Sequence, residues 1–182
     1  MKRSATISAD GLYRYDLTRS VQPGCSCERC TAFRTAASKR GVPPSNSYVL
    51  WVLCNPSTAD GETDDATERR GWGFTLAWGY PSFKFVNTNP SRSTDPKKAR
   101  MPDEAIVVLN DLYLVTHAQA ASVVVCAWGA NADRILARRA EAVVRAATAG
   151  TDKVRFLALT SKGIPKHPLY LPGDLLPQIW NT

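Results

Sequence analysis

The sequence predicts an α/β domain: a three-layer sandwich on a central, mainly parallel four-stranded sheet, preceded by an N-terminal strand or hairpin and a Cys-containing insertion. Three observations predict it. Four short apolar runs recur along the chain, at residues 48–54, 83–86, 122–127 and 154–159. Stretches of helical patterning separate them, at about residues 65–78, 102–118 and 131–147. Each run also gives way to a polar segment bearing Asn, Gly, Ser or Pro. A parallel pair of strands needs a crossover of a dozen or more residues, which a helix supplies, so strands alternating with helices imply a parallel sheet covered on both faces.

Taken in order, residues 11–19 alternate apolar and polar side chains, the period of a half-buried strand, so an edge strand or hairpin arm is expected there. Residues 20–47 carry Cys, Pro, Gly and Ser without periodicity, apart from a short helix near 31–39, and read as an insertion. The run from Tyr48 to Cys54 is continuously apolar and stops at Asn55-Pro56. Burial on both faces demands that pattern, which makes it the central strand. Asp64 or Asp65 can cap the first long helix, Pro102 suits the first turn of the next, and Gly79 and Gly150 suit C-terminal stops.

A chain of 182 residues with 44% hydrophobic composition is enough for one sizeable core, so residues 1–182 are expected to form a single domain. No apolar run approaches the roughly 20 residues that cross a bilayer. Polar residues follow Met1-Lys2-Arg3-Ser4, where a secretory signal would turn apolar. A cytoplasmic protein without a membrane partner is the expectation. The net charge of +7 and pI near 9.3 point to a polyanionic partner, nucleic acid and above all DNA. Much of the excess is N-terminal: eight Lys/Arg (Lys2, Arg3, Arg14, Arg19, Arg29, Arg34, Lys39, Arg40) face three acids (Asp10, Asp16, Glu28) before residue 47. Such a stretch reads either as a solvated face or as a nucleic-acid surface.

In open α/β sheets, ligands bind beyond the carboxyl ends of the strands. The segments leaving the four runs are residues 55–60, 87–92, 128–131 and 160–168, and they bring polar groups to one rim. The chief pairing expected there is the Asn55 loop with the Lys166-His167-Pro168 loop.

At these residues the sequence resembles the domain of unknown function 1643 family, a bacterial and phage group. The resemblance runs through Gly11-Leu12-Tyr13-Arg14-Tyr15, Leu53 to Asp60, Asp64 to Arg70, Asn87, Arg92, Asn110-Asp111, Trp128-Gly129 and Gly163 to Leu171. Its motif order is similar to that of the uracil-DNA glycosylase superfamily, with Asn55-Pro56-Ser57, Trp128-Gly129 and His167-Pro168-Leu169 in the places of the three motifs. The likeness implies a uracil-DNA glycosylase-like fold and cleavage of the N-glycosidic bond of a base, ordinary or modified, in DNA. Two positions depart from it. Asn55 stands where the fast uracil enzymes carry a water-orienting aspartate, as in the mismatch-specific branch, and Ser57 stands where that branch has glycine. An amide can position water but cannot accept its proton.

Such chemistry needs stabilisation of a departing base anion, support for an oxocarbenium-like sugar and a placed water. No cofactor is required for it. His167 can hydrogen-bond the leaving base from a neutral imidazole, with Lys166 adding positive potential. The competing reading is that His167 caps or fills a Pro-rich loop. Asn55, Asp60 and Asp65 are the remaining catalytic candidates, to orient water or face the sugar cation. Asp60, Asp64 and Asp65 can alternatively hold a divalent metal, and helix capping competes with both roles. Pro56, Ser57, Thr58, Asn87, Trp128, Gly129 and Pro168 are expected to line the substrate site. Arg69, Arg70 and Arg92 suit phosphate, or else ion pairs with Glu68 or Asp95. Of Trp72, Phe74, Trp78 and Tyr80 most should be core, with one free to stack on an extruded base.

Cys25, Cys27 and Cys30 form a C-x-C-x₂-C cluster, and in a reducing compartment that spacing argues for metal over disulfide. A structural zinc wants four ligands, with Cys54, His117, Cys126 and His167 as the other thiol and imidazole candidates, and an iron–sulfur cluster is the alternative. Cys54 and Cys126 lie in apolar runs and read first as small core residues. Three functions compete at this point: a base-acting glycosylase, a metal-dependent enzyme acting on nucleotide or nucleic-acid phosphate, and a base-binding module without turnover.

Overall fold

Strand β3 (Val49–Leu53) is buried along its whole length because both of its faces carry core. Val49, Trp51 and Leu53 point into one apolar cluster and Leu50 and Val52 into the other, the two-residue period of a strand. The computed structural model describes residues 1–40, 46–57 and 64–181.

Among the described residues a mixed seven-stranded sheet and four α-helices follow the order β1 (Lys2–Ile7), β2 (Arg14–Ser20), α1 (Glu28–Arg40), β3, α2 (Ala66–Ala77), β4 (Ser82–Asn87), α3 (Glu104–Ala120), β5 (Val123–Cys126), α4 (Arg134–Ala147), β6 (Val154–Phe156) and β7 (Gln178–Ile179). The sheet order is β1-β2-β4-β3-β5-β6-β7. Strand β3 runs parallel to β4 and β5, with Val49 opposite Phe83 and Val123, and β5 runs parallel to β6. The pairs β1–β2, β2–β4 and β6–β7 are antiparallel. The sheet is therefore wider than the four strands expected, because the N-terminal hairpin and a C-terminal strand both join it. Strand β1 is mostly exposed and β7 is two residues long, so neither carries an apolar period to read.

Helix α2 packs Trp72 and Phe74 against Trp51, Phe83 and Phe85 on one face of the sheet. Helices α3 and α4 pack Leu114, Ala118, Ala137 and Val144 on the other. Gly71 allows the close approach of α2, since a Cβ there would lie 2.7 Å from the Phe85 ring. The gap is smaller than any carbon contact, so the helix-propensity cost of about 1 kcal/mol for glycine is the lesser one.

Of the two candidate caps for α2, Asp65 is used: its Oδ1 accepts the Glu68 N–H at 2.7 Å. Pro102 does not occupy the first turn of α3. Asp103 caps that helix by accepting the Ile106 N–H, which places Pro102 before the cap. Helix α1 is longer than the expected 31–39, and among the described residues no helix is long and apolar enough to cross a membrane.

The basic N-terminal stretch does not form one solvated face. Arg14 and Arg19 are 3% and 0% exposed, drawn into a buried ion network with Glu68 and Asp64. Both β3 neighbours follow it in sequence and leave it on opposite sides, so a crevice opens at its carboxyl end.

Candidate functional site

The crevice is a cleft of about 500 Å³ whose wall includes Asn55, Ser57, Asp65, Asn87, Gly129 and His167. It lies where β3, β4 and β5 end, and the loops that leave them are laced together by backbone. The Thr88 and Asn89 N–H groups donate to the Leu53 and Cys54 carbonyls at 2.8 and 3.0 Å, and the Ser93 N–H donates to Pro56 at 2.9 Å.

Asn55 follows β3 and is half-buried. Its Nδ2 donates to the Ser93 and Pro56 carbonyls at 2.9 and 3.2 Å. With the nitrogen engaged twice, the amide oxygen is the group left to accept a hydrogen bond. Ser57 donates its hydroxyl to Asp65 Oδ2 at 2.9 Å, so both Asp65 oxygens are held, one by this hydroxyl and one by the first turn of α2.

Asn87 ends β4 and is 1% exposed. Its backbone carbonyl accepts the Asn110 side chain at 2.9 Å, but among the described residues its own Nδ2 and Oδ1 have no hydrogen-bond partner. A buried amide left in that state carries a desolvation cost of about 1–3 kcal/mol. Because it faces the cleft, a ligand can meet that need.

His167 lies in the loop after β6 and opens a 3₁₀ turn, Pro168–Tyr170. Its Nδ1 accepts the Leu169 N–H at 3.3 Å, so a neutral ring must carry its proton on Nε2. Burial holds the imidazole below its ordinary pKa, with the Asp65 carboxylate pulling weakly the other way. The two readings of this residue are thus compatible: one nitrogen caps a turn and the other remains as a donor. Gly129 makes room for the ring, since at φ +76° a Cβ would sit 3.0 Å from the Cβ of His167. Lys166 is exposed at the cleft, its N–H tied to the Ala158 carbonyl.

Other expected site residues are spent on architecture. Pro56 is buried below the rim. The carbonyl of buried Pro168 accepts Arg70 Nε at 3.3 Å, and Arg70 Nη2 donates to the Leu171 carbonyl. With its guanidinium 5.0 Å from the Phe74 ring, Arg70 clamps the His167 loop onto α2. Arg92 Nη1 donates to the Gly11 carbonyl at 2.9 Å, bracing the turn between β1 and β2. Arg69 donates to the Asp64 carbonyl. Trp128 lines the cleft as expected, but it is 4% exposed and packs its ring on Trp180. Thr58 and Asp60 lie outside the described residues.

Trp72 and Phe74 are core, and Trp78 stacks on Trp51 with Tyr80 packed against the same cluster, so none of the four is an open stacking surface. The exposed aromatic is Tyr170, 83% accessible, whose ring lies 6.1 Å from that of His167. Arg14 also reaches the cleft. Both lie in stretches that carry the family resemblance, Gly11 to Tyr15 and Gly163 to Leu171, which was the signal that could have found them.

Of the proposed carboxylate trio, Asp60 lies outside the described residues, and Asp64 and Asp65 have different partners. Asp64 faces Arg19, Arg29 and Arg3, away from Asp65 and its cap. The sulfur atoms of Cys25, Cys27 and Cys30, by contrast, lie within 4.8 Å of one another and could hold a metal. Among the described residues no fourth His, Cys, Asp or Glu joins them. His117 is paired with Asp16 at 3.0 Å, Cys126 is core, and Cys54 lies on the cleft wall with its thiol pushed up to about 11 by burial.

The model of a family described as "Protein of unknown function (DUF1643)" matches residues 38–169. No curated protein and no solved structure matches the chain.

Proposed function

We propose that this chain, which belongs to the DUF1643 family, is a base-acting enzyme that cleaves an N-glycosidic bond in DNA through its strand-end cleft. The observation that carries the reading is the Asn87 amide: buried, without a hydrogen-bond partner, and in the same cleft as the Nε2–H of His167. An amide offers one donor side and one acceptor side, which matches the donor–acceptor edge of a base as paired contacts do in duplex recognition.

In this reading the cleft receives a base taken out of its stack. Asn87 reads its edge. His167 donates from Nε2 to the base oxygen on which negative charge collects, a role that a neutral imidazole fills without a proton transfer. The Asn55 oxygen accepts a hydrogen bond from the attacking water, and the Asp65 carboxylate supplies negative potential toward the sugar cation. Tyr170 and Lys166, both exposed, meet a neighbouring base face and the phosphate backbone, consistent with the net charge of +7. The crossover pattern around β3 and the order of Asn55, Trp128-Gly129 and His167 along the rim support a uracil-DNA glycosylase-like fold. Cys25, Cys27 and Cys30 hold a structural zinc apart from this chemistry, which itself needs no metal.

The test is incubation of the protein with single-stranded and duplex oligonucleotides carrying uracil, mismatches or modified bases, in EDTA, followed by alkaline cleavage at abasic sites. Strand breaks that disappear in His167→Ala and Asn55→Ala are expected. Intact DNA across the panel, with binding retained, overturns the reading in favour of a binding module.

A further inference from the structure

We infer that Arg14 is a catalytic contact of this cleft, its guanidinium meeting the negative charge of a planar heterocycle anion. The inference rests on the glycosidic reading for its chemistry but not for its ligand. Arg14 opens β2, and its backbone N–H donates to the Pro90 carbonyl at 2.9 Å, which fixes it beside the loop leaving β4. The side chain is 3% exposed and lies on the cleft wall, yet among the described residues Nε and Nη1 have no hydrogen-bond acceptor.

Arg19, five residues along the same strand, shows what a satisfied guanidinium looks like here: Nε donates to Asp64 at 3.0 Å and Nη2 to Glu68 at 2.7 Å. Among the described residues Arg14 has only the Glu68 Oε1 at 3.8 Å, beyond hydrogen-bond reach, and that oxygen is there without a donor. The local balance is cationic. Arg3, Arg14, Arg19 and Arg29 share the carboxylates of Asp64 and Glu68; Asp65 adds one further negative charge near Arg14 and Arg92 one further positive. Burial pushes the Glu68 carboxyl up to about 7, against the pull of Arg19, which thins the counter-charge further. Burial also draws Arg14 downward from its ordinary pKa, but a guanidinium keeps its charge in proteins.

A buried guanidinium with open donors is costly until an acceptor-rich partner arrives, and a planar fork fits a planar ring edge better than an ammonium does. When the glycosidic C–N bond breaks, its electron pair stays on the base nitrogen. Water oxygen then bonds to the sugar carbon and releases its proton to the departing base or to solvent. Arg14 and the His167 Nε2–H are the two donors of this cleft suited to that developing charge.

The experiment compares calorimetric binding of barbiturate, an anion at neutral pH, with that of uracil, a neutral pyrimidine ring of the same size with one oxygen fewer. The wild type is expected to bind barbiturate at least about tenfold more tightly. Arg14→Gln should abolish the preference, and Arg14→Lys should keep part of it. Since Arg14→Gln removes one of the two cations beside Glu68 and leaves Arg19 as the other, the double variant Arg14→Gln/Glu68→Gln preserves charge balance, with thermal unfolding as the check on its fold. On any oligonucleotide that the wild type cleaves, Arg14→Gln should lower kcat with little change in KM. A wild type without preference for barbiturate, or a double variant that keeps it, overturns the assignment. A barbiturate preference lost with Arg14 but no cleavage on any oligonucleotide overturns the glycosidic reading and leaves the anion site standing.

Discussion

Two polar regions meet at the N-terminus of α2, and adjacent aspartates divide between them. Asp64 turns into the guanidinium cluster of Arg3, Arg19 and Arg29, while Asp65 turns to Ser57 and the helix start on the cleft side. In the first region buried Arg19 is paired by two carboxylates. In the second, Asn87 and Arg14 are just as buried and keep polar atoms without hydrogen-bond partners. The difference separates polar groups that hold the fold from polar groups held ready for something that arrives later, because an unpaired buried group persists only where the rest of the structure, or a ligand, compensates for it.

The strongest challenge to that division is Arg19→Ala. Loss of this guanidinium strips a cation from both Asp64 and Glu68, and removing one partner of a buried ion pair costs about 3–5 kcal/mol. Urea unfolding should show it, whereas a loss below about 1 kcal/mol would mean that the cluster is not structural. On the cleft side the expected signature is the reverse: His167→Ala lowers turnover by roughly a hundredfold to a thousandfold, as for loss of a charge-stabilising donor, with an unfolding midpoint close to wild type.

A smaller effect, felt by both stability and turnover, is predicted for Gly129→Ala. A side chain at φ +76° is strained by about 1–2 kcal/mol, and its Cβ presses on His167 at 3.0 Å. Turnover falling without any loss of stability would show that the backbone strain is relieved elsewhere.

Acid sharpens the comparison further. Burial lowers the folded pKa of His167, so the unfolded chain binds its proton first as pH falls. The stabilisation is complete above the ordinary value near 6.5 and is lost as pH falls toward the folded pKa. Turnover should hold through neutrality and decline in acid below that value, and a rate that rises as His167 protonates would exclude a neutral donor. The slightest effect on the cleft should come from Cys27→Ser. Zinc should raise the melting temperature of the wild type and not of this variant, while cleavage rates of the two agree; a matching loss of cleavage would tie the thiol cluster to the chemistry.

Much of the framework was legible in the sequence. The four apolar runs coincide with β3, β4, β5 and β6, and the helical stretches fall within two or three residues of α2, α3 and α4. The reason is local: a run buried on both faces must be apolar throughout, and a helix must repeat near 3.6 residues. The rim was legible as well, since Asn55, Gly129 and His167 follow strands that end on one side of the sheet and Asn87 ends one of them.

What a one-dimensional pattern could not hold was the partner of each polar side chain. Asp64 and Asp65 have the same chemistry and adjacent positions, and only the placement of β2 beside α2 sends one to Arg19 and leaves the other as the cap. Arg14 and Arg70 look alike as cations, yet Arg70 finds two carbonyls of the His167 loop, while Arg14 lies buried on the cleft wall and, among the described residues, finds no acceptor for Nε or Nη1. Strand β1, mostly exposed, is a strand because β2 offers it a ladder. Local composition determined the four inner strands, the helices packed on them and which strand ends face the cleft. Tertiary structure alone decided which polar groups are paired, because hydrogen bonds and charges act over a few ångströms between residues that lie tens of positions apart in the chain.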